Sequence, residues 1–134
     1  MKLGPQPKKW LEKKAKAGFR GYPVGTIAFY GPDDQRASKV AVGIIPVEGA
    51  EAEPLRRWFT ESGDARADGA TLAEIVAFLR SYAVRSIAMT KGIIGCPHEE
   101  GGDYPEGEAC PQCPFWDGRD RFGGHELPPT FGHD

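Results

Sequence analysis

Three cysteines and one histidine carry most of the chemistry open to this sequence. Cys96 and His98 stand two residues apart, and Cys110 and Cys113 form a Cys-x-x-Cys pair with a proline after each sulfur. No other cysteine occurs in the 134 residues. Thiolate and imidazole donors favour zinc over calcium or magnesium, which take oxygen ligands. The expectation is therefore a zinc site with Cys96, His98, Cys110 and Cys113 as ligands. The Cys-x-x-Cys spacing lets two sulfurs converge on one ion, whereas Cys-x-His is tighter than the commonest gap between paired ligands. Gly101, Gly102, Pro105 and Gly107 supply the turns that bring the two pairs together.

Other uses of the thiols fit less well. A redox Cys-x-x-Cys normally opens a helix after a strand, and Pro111, Pro114 and the absence of a following helical pattern argue against that. Three cysteines cannot all pair as disulfides. Unconnected buried thiols are the remaining alternative.

An enzymatic use of the site has two forms. His98-Glu99-Glu100 followed by Cys110-x-x-Cys113 echoes the signature of zinc deaminases, in which Glu100 would shuttle protons. Only eleven residues separate His98 from Cys110, and Ala109 rather than proline precedes Cys110. A metal-dependent hydrolase would need one of the four ligands to be absent, opening a position for water with Glu99 or Glu100 as base. Four protein ligands close the site and make its role structural. Asp103 and Tyr104 are candidates to orient His98. The preferred reading is a zinc-stabilised binding or regulatory module whose function lies on a surface.

The rest of the chain bounds what that surface meets. The hydrophobic fraction is 40 %, with 18 Gly and 12 Pro, so a loop-rich globular chain is expected. No run of 18 apolar residues predicts a membrane span. The first residues carry no apolar signal core, and the expectation is a cytoplasmic protein with reduced thiols. The net charge of −2 hides an asymmetry. Residues 1–40 hold nine Lys/Arg against three Asp/Glu, and the remainder holds eight against sixteen. A basic N-terminal arm over residues 1–21 fits nucleic acid or the ribosome, with a protein partner as another option; it also fits a tail folded back on the acidic body.

The elements that must position the site follow from periodicity. Lys8 to Ala17 predicts a turn or two of helix with Trp10 as a packing anchor. An ordered domain is expected over 22–117. Residues 25–30 and 39–47 read as β-strands joined as an antiparallel hairpin across the turn signal Gly31-Pro32-Asp33-Asp34. Pro54 suits a helix start, with Leu55, Trp58 and Phe59 at i, i+3 and i+4. Thr71 and Glu74 match a capping box opening a second helix through Leu72, Ile75, Val76 and Leu79. Residues 84–90 read as a third strand. The predicted fold is α+β, in the order β-β-α-α-β, closed by a C-terminal zinc hairpin over 95–116. Residues 118–134 are expected to be mobile, with His125 and His133 as spare ligands.

The segment from Met89 to Gly101, with Asp103-Tyr104-Pro105, Gly107 and Cys110 through Trp116, resembles a family of small bacterial proteins of unknown function. Phe29-Tyr30-Gly31-Pro32-Asp33 and Lys39-Val40 share in the resemblance, which spans most of residues 22–118. Gly102 departs from it, standing where an apolar residue is expected. The resemblance implies the metal site and no particular activity.

Overall fold

A computed structural model describes residues 7–99, 102–107 and 110–116. Glu100, His125, His133 and the 118–134 tail lie outside the described residues. The fold is α+β: two helices against a four-stranded mixed sheet. In chain order the elements are α1 (Pro7–Ala17), β1 (Val24–Tyr30), β2 (Lys39–Ile45), β3 (Leu55–Phe59), α2 (Gly69–Ser81) and β4 (Ser86–Ile93). The sheet order is β3-β2-β1-β4. β1 and β2 form the expected antiparallel hairpin, with Ile27 opposite Val42 and Tyr30 opposite Lys39. β4 returns beside β1 in parallel, with Gly25 opposite Ile87.

One face of the sheet carries the core. Ile27 and Phe29 of β1, Val40, Val42 and Ile44 of β2, Trp58 of β3 and Ile87 of β4 are all buried. They meet Leu72, Ile75 and Leu79, which fall on one stripe of α2. Burying each such side chain contributes roughly 1.5–3 kcal/mol. Gly25 allows the close approach of α2, because a Cβ there would overlap the Leu79 side chain. Ala83, at φ 54, turns the chain out of α2 toward β4.

Three expectations are corrected. The run from Leu55 to Phe59 is an edge strand, not a helix. Only Trp58 is buried in it, while Leu55 and Phe59 are exposed. The i, i+3, i+4 spacing of large apolar residues is thus not a buried stripe, and pairing with β2 from Gly43–Leu55 to Lys39–Phe59 satisfies the backbone instead. The element order becomes α-β-β-β-α-β. The capping box does not form either. α2 begins at Gly69, Thr71 donates to the Asp68 carboxylate at 2.7 Å, and Glu74 accepts from the Trp58 indole at 2.9 Å. Tertiary partners outcompete the local reciprocal bonds. Finally, the core starts before Tyr22: α1 packs on α2 and β4, with Leu11 and Ala15 buried in the shared core.

A short 3-10 turn, Ala65–Ala67, ties the start of α2 to the hairpin loop. The Asp64 carboxylate accepts from the Arg66 backbone N–H and guanidinium, and the Ala65 N–H donates to the Ala37 carbonyl. The Arg66 hydrogen bonds lower the Asp64 carboxyl to about 2. A folded-state value below the unfolded one stabilises the fold above pH ~4, and that contribution is lost as pH falls toward ~2. Asp64 is a quarter exposed, so solvent screening reduces its share to about 1 kcal/mol. Asp64→Asn is expected to remove that step from the acid-unfolding profile, measured as stability between pH 2 and 5.

Candidate metal centre

β4 is bent to deliver the first pair of donors. Its register against β1 shifts between Met89, opposite Ile27, and Ile93, opposite Phe29. Thr90 stabilises this bulge by accepting from the Phe29 N–H at 3.3 Å and donating to the Gly92 carbonyl at 2.9 Å. The chain then stays on β1: the Ile94 N–H donates to the Phe29 carbonyl, and the Gly31 N–H donates to the Gly95 carbonyl, each at 2.9 Å. Cys96 follows directly.

The second pair is held to the same point. Cys110 to Cys113 forms a tight turn, and a 3-10 turn at Pro114–Trp116 follows it. The Trp116 indole N–H donates to the Gly31 carbonyl at 2.8 Å, and its ring packs on the core. Both arms of the segment therefore fasten to one residue of the β1–β2 hairpin, through its N–H and its C=O.

The structure brings together Cys96, His98, Cys110 and Cys113. Their donor atoms lie within 4.8 Å of one another, so the group could hold a metal ion. His98 presents Nδ1, at 3.3, 3.4 and 3.5 Å from the sulfurs of Cys96, Cys110 and Cys113. The His98 backbone N–H also donates to the Cys96 sulfur at 3.2 Å. Cys110 and Cys113 are buried, and Cys96 is half-buried. Burial pushes the Cys96 and Cys113 thiols up. A cation at the shared point would supply the charge that three thiolates require.

Sequence reasoning did not single out the residues that clamp this segment to the sheet. Lys39 is buried at the start of β2, beside the faces of Tyr30 and Phe59. Its ammonium donates to the Pro97 carbonyl at 2.9 Å and to the Glu99 carboxylate at 2.8 Å. Arg57 of β3 reaches the same carboxylate. These cations hold the Glu99 carboxyl below its ordinary range, the Lys39 hydrogen bond being the largest influence. Glu99 is thus an anion held by two cations. A lysine opening an otherwise apolar strand was the available signal. Asp103 accepts from the Glu99 N–H at 2.8 Å, so it shapes the turn after His98.

Lys39→Met keeps the bulk and removes both hydrogen bonds. Glu99 stays paired with Arg57 and is partly exposed, so no buried charge is orphaned. The expected loss is about 1–2 kcal/mol. That corresponds to roughly tenfold weaker metal retention, read by competition with a chromogenic chelator.

No helix among the described residues is long and apolar enough to cross a membrane. No family model, no curated protein and no solved structure matches the chain.

Proposed function

We propose that the chain is a zinc-binding protein in which Cys96, His98, Cys110 and Cys113 are the four ligands, that the ion is structural, and that the protein works as a binding or regulatory module. The observation that carries this reading is the donor set and its size. Tetrahedral zinc with ordinary Zn–S and Zn–N bonds puts neighbouring sulfur and nitrogen atoms about 3.6 Å apart. The three distances from His98 Nδ1 are 3.3–3.5 Å, close to that edge before any ion draws the side chains into place. Three sulfurs and one nitrogen suit zinc and exclude the hard cations.

Four protein ligands leave a tetrahedral ion no position for water, which argues against hydrolase or deaminase chemistry. The lowered Glu99 argues the same way, since a carboxylate held by Lys39 and Arg57 is a poor proton acceptor. The resemblance to small bacterial proteins of unknown function and the cytoplasmic setting belong to this reading as expectations. The test is metal content with X-ray absorption on the purified chain. One zinc per chain with three sulfurs and one nitrogen is the expected result. A water or other light oxygen ligand in place of a sulfur would move the reading to an open, catalytic metal site.

A further inference from the structure

α1 is worse than it needs to be for stability. Its first turn contains Lys8 and Lys9 and no acidic residue, although the helix dipole favours negative charge there. Lys9 and Lys13 repel at i, i+4 spacing. Lys8, Lys9, Lys13 and Lys16 are exposed, with the exposed Glu12 among them, while Leu11 and Ala15 are buried. Glu12 is the only acidic residue between positions 7 and 30. The chain is acidic elsewhere, yet among the described residues the ion pairs are Lys39–Glu99, Arg57–Glu99 and Arg66–Asp64, and none involves α1. The helix is docked on the body through Leu11 and Ala15, yet no acidic side chain among the described residues pairs with its lysines. Glu12 has i, i+4 spacing to Lys8 and Lys16, so it offsets part of this charge, and the exposed side keeps a clear excess of lysine.

An aromatic platform stands at the end of this basic face. Gly18, at φ +80, ends the helix, and Phe19 follows it, 54 % exposed and set edge-on to Tyr22 with ring centroids 5.2 Å apart. The segment is pinned. The Arg20 N–H donates to the Ser86 hydroxyl at 2.6 Å, and that fully buried hydroxyl donates to the Gly21 carbonyl at 2.7 Å. The exposed Arg85 packs its guanidinium beside Gly21, carrying positive charge past the aromatic pair.

We propose that the exposed face of α1 and the Phe19–Tyr22 platform form a binding surface for single-stranded nucleic acid. The lysines would meet successive phosphates, and Phe19 would stack on a base. A membrane surface fits less well, because the apolar side of α1 is committed to the core and cannot insert. Over Pro7–Ala17 the basic segment is a helix docked on the core. Lys14 lies over the Trp10 ring and off that face. The proposal names the partner of the binding module above but uses no atom of the metal centre, so the two can fail separately.

The test is fluorescence anisotropy of a labelled 15-nucleotide oligothymidine with the zinc-loaded full chain, with metal content measured on every sample. Four phosphate contacts predict about fifty-fold weaker binding between 50 and 200 mM salt. Lys8→Glu/Lys9→Glu should weaken binding by at least tenfold and flatten the salt dependence, while raising the unfolding temperature because the dipole is now matched. Phe19→Ala should lose about tenfold with the salt dependence unchanged. Zinc content should be the same in all three proteins. No binding, binding indifferent to the double variant, or equal affinity for duplex DNA or for phosphatidylserine vesicles would overturn the proposal. Loss of zinc with oligonucleotide binding retained would instead strike the structural-zinc reading alone.

Discussion

Stripping the metal from the folded chain is expected to lower its stability by about 5 kcal/mol or more, a fall of roughly 15–20 °C in unfolding temperature. The segment from Gly95 to Trp116 explains the size. Among its described residues, Cys110 and Cys113 are the buried side chains, and Trp116 is the one that joins the core from its edge. Ordering each residue costs roughly 1–2 kcal/mol of backbone entropy. Two thiols, one indole and the clamps from Lys39, Arg57 and Gly31 offset only part of that cost, and on the zinc reading the ion supplies the rest. The sheet and α2 have their own core of Ile27, Val42, Ile75 and Leu79 and should survive. Far-UV circular dichroism should therefore change little while the melting temperature falls. Cys113→Ala should reproduce the chelated state without chelator.

The same experiment has a pH dependence of known sign. Burial holds the Cys96 and Cys113 thiols above the ordinary range in the metal-free fold, so binding at neutral pH must expel their protons. Metal affinity should rise with pH by at least tenfold per unit between pH 6 and 8, and the zinc-linked stability should vanish on the acid side. An unfolding temperature indifferent to chelator, or an affinity flat across that range, would remove the ion from the account of this fold.

The cluster of Cys96, His98, Cys110 and Cys113 was legible in the sequence because cysteine and histidine are scarce and chemically distinctive, so type and spacing speak without the fold. The β1–β2 hairpin was legible for a related reason: β1 is rich in β-branched and aromatic residues, and β2 alternates Val40, Val42 and Ile44, all buried. β3 was not. Leu55, Trp58 and Phe59 have helical spacing, and what makes them a strand is the backbone edge of β2, some ten residues earlier in the chain. Thr71 and Glu74 failed similarly, each taken by a partner that local sequence does not name. The parallel pairing of β1 with β4 was invisible as well. It joins segments about sixty residues apart and places Gly31 beside Gly95. Local pattern reports which atoms can do chemistry; only long-range pairing reports what holds them still.

That distinction makes Gly31→Ala the most severe substitution expected outside the four candidate ligands. A Cβ at residue 31 would fall well inside contact distance of the Arg36 carbonyl oxygen and 3.1 Å from that of Asp33. Both are backbone atoms of the hairpin loop and cannot swing aside like the end of a side chain. The backbone at Gly31 must shift, and that backbone is the point where both arms of the metal segment attach, by the N–H to Gly95 and by the carbonyl to the Trp116 indole. The expected loss is about 3–4 kcal/mol of stability. Metal retention should also fall further than in Lys39→Met, because the two pairs of donors lose their common footing. Gly95→Ala is the control. A Cβ there meets nothing closer than the Tyr30 ring at 3.9 Å, an ordinary contact, and should cost little in either readout. Equal behaviour of the two variants, measured by chemical denaturation and chelator competition, would mean that the hairpin does not set the position of the sulfurs.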